Sequence, residues 1–503
     1  MRLGFGLLVF SASALVGQPS PYLPIDHPAT PVVEYLVARG DLSDPTPQIR
    51  PWRRSDIVRA IDSSGLDSTT QSGRLAAAVR AELVDRAEDA WYRIEPRAGA
   101  QAFTAARRDQ LHPGGDGGLR SYFETTFEGR FGALVIAGRP IAENRLKLDP
   151  DWSGGAIQTR KNQAYRFAEV YLSAQFKYLR LFYGQMDRNW GPPGSLGLSI
   201  ANYGYPRSDL GLDLVLRDIQ LQLVGGGLTP MRSSTGVDHR RFFLAHRLNV
   251  RATKRLHLAI WETMVLSGTP ESIPGGPLNP LALFSFPAQF GSPDDRNTII
   301  GGDLSWRASR SLRLEAQAMI DDRWRRKADS VTGEPSHPGR WAFTLAGSGA
   351  LGPRLAWRSS LSVITSLAYR TADSARSFLD RGIGIGPNFT DLARLDTRLD
   401  IPIGARWMVA PEITILRQGE GRIDTPFPGD SALTLTPERF IGTVANTLRL
   451  GGSLAGRVGP VSLIGSGGWH RTTNADHVAG RTRHRFEARL QATIGTAFSG
   501  VLK

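Results

Sequence analysis

Near the end of the chain, every second residue turns away from water. Phe486, Ala488, Leu490, Ala492, Ile494, Thr496 and Phe498 alternate with Arg485, Glu487, Arg489, Gln491, Thr493, Gly495 and Ala497. Successive side chains of an extended strand point to opposite faces, so this segment has one greasy face and one charged face. The same split recurs in Leu312, Leu314, Ala316, Ala318 and Ile320 against Arg313, Glu315 and Gln317. It returns in Leu399, Ile401, Ile403, Ala405 and Trp407 against Arg398, Asp400 and Arg406. A fourth instance sets Leu355, Trp357, Leu361, Val363, Leu367 and Tyr369 against Arg358, Ser360, Ser362 and Ser366.

Strands of roughly 10 to 14 residues exceed the usual length in globular sheets but suit a tilted bilayer crossing of about 9 to 11. In hydrocarbon every backbone N–H and C=O must be paired within the protein, so strands cross only as a closed barrel. An arginine on the lipid face at mid-bilayer costs about 2 to 4 kcal/mol, which directs the arginine-bearing face into the lumen. No internal apolar run is long enough for a membrane helix, and the longest uncharged internal stretch, Ser272 to Pro293, is broken by prolines.

The expected fold is therefore an all-β membrane protein, an antiparallel outer-membrane β-barrel of about 18 strands, with 16 left open. Short turns such as Arg217-Asp218, Thr253-Lys254, Ala308-Ser309, Ala410-Pro411 and Arg457 to Pro460 alternate with long loops such as Arg188 to Ser208, Gly268 to Asp295 and Gly419 to Ile441. Among the expected strands are Arg97–Asp109, Tyr165–Ala174, Leu355–Tyr369, Thr397–Val409 and Glu412–Gln418. Two places fit poorly. Glu169 shares a side with Tyr171, and His246 falls on the lipid side with Phe242, Leu244 and Leu248. A β-bulge would switch that parity.

Before the barrel the period is helical. Residues 1–17, with Met1-Arg2 ahead of the apolar run Leu3 to Val16, have the layout of a signal peptide. Residues 18–96 read as a small helical periplasmic segment and 97–503 as the barrel. Thr30 caps a helix with Pro31 first and Gly40 as its stop; Ser55 precedes Ile57, Val58 and Ile61; from Arg74, Leu75, Val79, Leu83 and Ala87 recur four apart.

The sequence carries no H-E-x-x-H, G-x-S-x-G or Walker A pattern and no cysteine, and Gly382 to Gly386 lacks the spacing of a dinucleotide fold. No catalytic residue, cofactor or metal is expected. A hydrolase with a Ser/His pair assembled from different strands remains open on spacing alone. Lys+Arg number 61 against 47 Asp+Glu, a net charge of +14 that favours acidic partners. Arg251, Arg313, Arg358, Arg398, Arg406, Arg449, Arg485 and Arg489 are read as lumenal, facing Asp303, Glu315, Asp400 and Glu487. They either form cross-strand ion pairs that stiffen the wall or line an electropositive surface for anionic glycan. On the long-loop side, Arg323, Trp324, Arg325, Arg326 and Lys327 set four cations around an indole, suited to stacking on a sugar and gripping carboxylates, or to a lipopolysaccharide-facing rim.

The most specific stretch runs from Gly184 to Asn202, GQMDRNWGPPGSLGLSIAN. Here the chain resembles the Wzi family of capsule assembly proteins, whose comparable segment has a polar pair with Asp, Trp-Gly-Pro and a Ser-Leu-x-Leu-Ser-x-Asn tail. Asp187, Trp190, Gly191, Pro192, Ser195, Ser199 and Asn202 match; Asn189 stands where the family has the first of two tryptophans, and Gly197 interrupts the tail. The likeness extends in order through the lead-in Tyr22 to Pro28, the helical part and the barrel. It implies a lectin-like outer-membrane protein that organises or anchors capsular polysaccharide without catalysis, the matching residues shaping a loop at or in the barrel mouth. The alternative is a porin or substrate-specific channel. Expected partners are outer-membrane lipid, lipopolysaccharide and anionic capsular or surface polysaccharide, with no nucleic acid, the protein being a monomer.

Overall fold

The computed structural model describes residues 19–154, 164–233, 235–268, 296–321, 338–425 and 427–502. Residues 1–17, read as a signal peptide, and the cluster Arg323, Trp324, Arg325, Arg326 and Lys327 lie outside them.

Eighteen antiparallel strands close into a barrel among the described residues. The first six are β1 (Ala90–Phe103), β2 (Gly118–Phe131), β3 (Leu134–Glu143), β4 (Tyr165–Gln175), β5 (Leu179–Gln185) and β6 (Ser208–Leu216). There follow β7 (Ile219–Arg232), β8 (Asp238–Arg251), β9 (Leu256–Gly268), β10 (Arg296–Ser309), β11 (Leu312–Asp321) and β12 (Trp341–Leu351). The last are β13 (Leu355–Ile364), β14 (Leu392–Ile403), β15 (Trp407–Gln418), β16 (Ala445–Val458), β17 (Val461–Thr473) and β18 (Thr482–Gly495). Each pairs with the next, and β18 closes on β1 from Arg97↔Gly495 to Phe103↔Arg489, with Phe498–Val501 continuing that edge. A count of 16 is thereby set aside.

The alternation resolves as expected on the closing strand, where Phe486, Leu490 and Ile494 are exposed on the outside while Glu487 is buried within. The Glu169 anomaly resolves too. Pairing of β3 with β4 shifts register between Arg139↔Glu169 and Pro140↔Phe167, so a bulge at Ala168 turns Phe167 outward and Glu169, Tyr171 and Ser173 inward. Pro140, which lacks an N–H, sits at this break in the ladder. His246 stays on the outer face opposite Glu262, its Nε2 2.6 Å from Oε2.

Strand limits shift by a few residues along much of the barrel, and three of the shifts change where residues point or where a turn falls. The first strand begins at Ala90 and ends at Phe103 rather than spanning Arg97–Asp109. β13 ends at Ile364, after which Leu367 and Tyr369 are buried inside the barrel instead of lining its lipid face. The turn between β14 and β15 is Gly404-Ala405-Arg406, with Gly404 at φ +62°, and Pro411 lies within β15. Arg406 is therefore an exposed turn residue, not a lumenal wall residue as its alternation suggested.

The residues ahead of β1 form α1 (Thr30–Arg39), α2 (Arg54–Asp62) and α3 (Gln71–Leu83). Gly40 ends α1 at φ +78°, and a Cβ there would lie 2.0 Å from the Arg310 carbonyl, so both backbone and packing require glycine. Leu36, Val33, Ile57, Leu75, Val79 and Leu83 form a core that also takes in the wall residues Ala356 and Met408. The helices occupy the short-turn end of the barrel. Tyr35 Oη donates to the Arg354 carbonyl at 2.8 Å, and Arg39 Nη1 to that of Leu355 at 2.9 Å.

Candidate functional site

The GQMDRNWGPPGSLGLSIAN stretch follows β5 and turns into the barrel, where it meets the N-terminal segment coming from the other end. Ile49 and Arg50 pair antiparallel with Trp190 and Asn189. Trp190 is 1% exposed, with the Arg247 guanidinium 5.8 Å from its ring centroid. Arg247 in turn pairs with Asp303, which accepts the Trp261 Nε1 proton at 2.9 Å. On the wall, Gln317 donates to the Trp190 carbonyl at 2.9 Å and accepts from the Leu198 N–H at 2.8 Å. Tyr369 Oη donates to the Leu198 carbonyl at 2.7 Å, and the Ala201 N–H to that of Ile385 at 2.9 Å. Trp190, Leu198, Ile200, Phe243, Trp261 and Tyr369 thus share one apolar core inside the barrel.

The two positions that depart from the Wzi pattern bond to each other. Asn189 Oδ1 accepts the Gly197 N–H at 2.8 Å, and its amide donates to the Ser195 carbonyl at 2.9 Å, closing the loop on itself. A Cβ on Gly197 would lie 2.2 Å from the Trp190 carbonyl oxygen and 2.3 Å from that of Ile200. Gly191 is likewise a matter of close approach, its missing Cβ facing Gly197 Cα at 2.7 Å, whereas Gly194 takes the positive φ of +84°. Gly197→Ala is expected to force the inward loop apart, costing about 1 to 3 kcal/mol as other overpacked sites do; thermal unfolding of the detergent-extracted protein measures it.

Asp187 and Arg108 lie 3.5 Å apart, and Arg108 also donates to the Gly204 carbonyl at 2.6 Å. Tyr205 Oη reaches Asp149 at 2.5 Å, and Asp149 pairs with Arg145 at 3.1 Å. These contacts join the connections after β1, β3 and β5 into one inward mass. Ser199 is buried against it, and Asn202 faces a neighbouring cavity with Tyr203.

That cavity, of about 420 Å³, lies between the inward loop and the wall of β13 to β16. Arg358, Arg394, Arg398 and Arg449 project into it from the wall and Arg108 from the loop after β1, against Asp109, Asp396 and Glu412. Arg358 and Arg398, directly opposite on neighbouring strands, share the single carboxylate of Asp400, each with an Nε–Oδ distance of 2.8 Å. Arg394 pairs with Asp396 and Arg449 with Glu412. Arg313 binds Asp44 and Glu315, Arg485 binds Glu487, Arg489 donates to the Arg107 carbonyl, and Arg251 lines the short-turn mouth. Seven of the eight arginines read as lumenal face inward, and most are already engaged by acids or carbonyls.

Several organising residues gave no signal in the sequence. Asp391, at φ +58°, accepts from the N–H groups of Gly421, Phe440 and Ile441, stapling two long connections together. Arg241 donates to the carbonyls of Ala375, Ser377 and Leu379 from a fully buried position, tying down the connection after β13. Among the described residues no group of three or more His, Cys, Asp or Glu is placed to hold a metal ion.

A closed barrel with its apolar face outward and its lumen filled from both ends belongs to the outer-membrane class of β-barrels. Within that class, the chain shares the fold of a solved structure from Escherichia coli described as Wzi, an outer membrane protein involved in group 1 capsule assembly and a carbohydrate binding β-barrel. The TM-score is 0.64 at 12% identity, covering 94% of this chain and 99% of that one. Pseudomonas aeruginosa OprD and OccK3 align over 82% of the chain at TM-scores of 0.44 and 0.45 and 11% and 12% identity, covering 96% of each of those chains. No family model and no curated protein matches the sequence.

Proposed function

We propose that the protein sits in the outer membrane with its short turns and N-terminal segment toward the periplasm, and that it binds acidic surface polysaccharide there without catalysis, organising or anchoring it. The observation that carries this reading is the cavity bounded by β13 to β16, where five arginines meet three lining carboxylates and Arg358 and Arg398, opposite each other on neighbouring strands, share one aspartate. Its volume, about 420 Å³, falls within the usual range of small-ligand clefts. Paired arginines keep spare N–H donors, and a sugar carboxylate satisfies such donors bidentately. The likeness to a carbohydrate-binding barrel supports the same reading, and the filled lumen weighs against the channel alternative.

Purified protein passed over immobilised acidic polysaccharide from its own host is expected to be retained at about 0.1 M salt. It should elute as ionic strength rises toward 1 M, where the Debye length falls from about 10 to 3 Å. Arg398→Gln should weaken retention by about tenfold, the worth of one charge-assisted hydrogen bond. No retention at low salt would refute the reading.

A further inference from the structure

The short-turn rim of the barrel carries a band of exposed cations, of which Arg457 alone lies within 4.0 Å of a carboxylate, Glu82, among the described residues. Six of the eight short turns among the described residues carry one or more: Lys177, Arg217, Lys254 with Arg255, Arg310, Arg354 and Arg406. At a seventh, Arg457 lies one residue before the end of β16. All of them are exposed, and the same turns hold one carboxylate, Asp218. Arg217, Lys254, Arg255, Arg310, Arg354 and Arg406 have no carboxylate within 4.0 Å among the described residues.

Position says what these cations meet. Each follows or precedes an outward apolar residue by at most three places: Lys177 beside Tyr178, Arg217 between Leu216 and Ile219, Arg354 after Leu351, Arg406 after Ile403 and Arg457 before Val458, all of those apolar side chains being exposed. The charges therefore trace the lower edge of the hydrocarbon-facing band, at headgroup level, with Arg217, Arg406 and Arg457 also bordering the short-turn mouth. Side chains there extend the guanidinium or ammonium group toward lipid phosphates.

We infer that this rim is a binding surface for anionic phospholipid headgroups in the membrane leaflet that meets the short turns. The inference rests on the membrane placement proposed above and not on the glycan reading, so either can fail alone.

Full-length protein reconstituted in mixed phosphatidylglycerol and phosphatidylcholine bilayers, then released and examined by native mass spectrometry, tests it. Phosphatidylglycerol should be enriched about fivefold among retained lipids, the worth of one surface cation at a charged headgroup. Enrichment should fall with salt. It should be lost in the combined variant Arg217→Gln, Lys254→Gln, Arg255→Gln, Arg310→Gln, Arg354→Gln and Arg406→Gln, whose folding is checked by heat-dependent gel mobility. Equal retention of the two lipids, enrichment insensitive to salt, or a variant as selective as its parent would overturn the inference. So would a variant that loses acidic-polysaccharide retention while keeping lipid selectivity; the salt arm stands even if the variant does not fold.

Discussion

Asp44→Ala is expected to loosen the N-terminal segment against the barrel wall while leaving the strands paired. The Asp44 carboxylate receives Arg50 Nη2 at 3.2 Å, Arg313 Nη1 from β11 at 3.0 Å and Trp52 Nε1 at 2.9 Å. It is one of several ties between segment and wall, alongside Arg54 to Glu128 and Arg139 to Asp26. Burial alone raises its pKa, but the two guanidiniums and the indole N–H outweigh burial and hold it well below the ordinary carboxylate range. Removing the carboxylate leaves Arg50 to Glu34 and Arg313 to Glu315, and the Trp52 N–H without its acceptor, a change worth about 1 to 3 kcal/mol. Limited proteolysis should then cut within residues 19–89 about tenfold faster, with the barrel core resistant. Because the folded pKa is depressed, the contribution is full above the normal carboxylate range and is lost only as pH falls toward the folded value. The segment should therefore stay docked through mild acid in the parent protein.

Trp190→Ala is the second large effect. This side chain closes the meeting point of the inward loop and the N-terminal segment, packed among Ile49, Ile200 and Trp261 and beneath the Arg247 guanidinium. Truncation removes a fully buried indole and leaves a void, at a cost of about 3 to 5 kcal/mol. Hydrogen exchange of the amides of Trp190, Leu198 and Ala201 should accelerate about 100-fold or more, while Trp190→Phe should recover much of the protection. Unchanged exchange in the alanine variant would mean that the loop is held by its wall hydrogen bonds alone.

The barrel was legible because period-two alternation is a direct consequence of strand geometry facing two solvents. Where that alternation misled, the reason is that an apolar side chain records only absence of water, and this barrel offers two such destinations. Leu367 and Tyr369 keep the outward pattern of β13 in sequence yet lie in the packed lumen, where Tyr369 bonds Leu198. Pro411 looked like a turn, but Gly404 supplies the left-handed residue that the turn needs. The bulge at Ala168 leaves no mark of its own beyond a broken parity. The helices and the Gly40 stop were readable, but Ala29, not Thr30, holds the cap position of α1, Thr30 donating instead to the Pro24 carbonyl, and α3 begins at Gln71 and ends at Leu83, short of Ala87.

The site was less legible. The Gly184 to Asn202 stretch stood out, but nothing in it foretold the pairing of Asn189 and Trp190 with Arg50 and Ile49. Arg247, Gln317 and Asp44 hold that junction from distant parts of the chain, and single polar residues of that kind carry no local signal. Parity placed the lumenal arginines and Asp303, Glu315, Asp400 and Glu487 alike, whereas which arginine meets which acid, above all the sharing of Asp400 by Arg358 and Arg398, emerged only from strand register.

Single-channel recording of the full-length protein in planar bilayers tests the filled lumen most directly. A barrel closed by the N-terminal segment and the inward loop should give no resolved current steps at moderate voltage, and Asp44→Ala should introduce them. Stable ohmic steps in the unmodified protein would contradict this account and return the channel reading to first place.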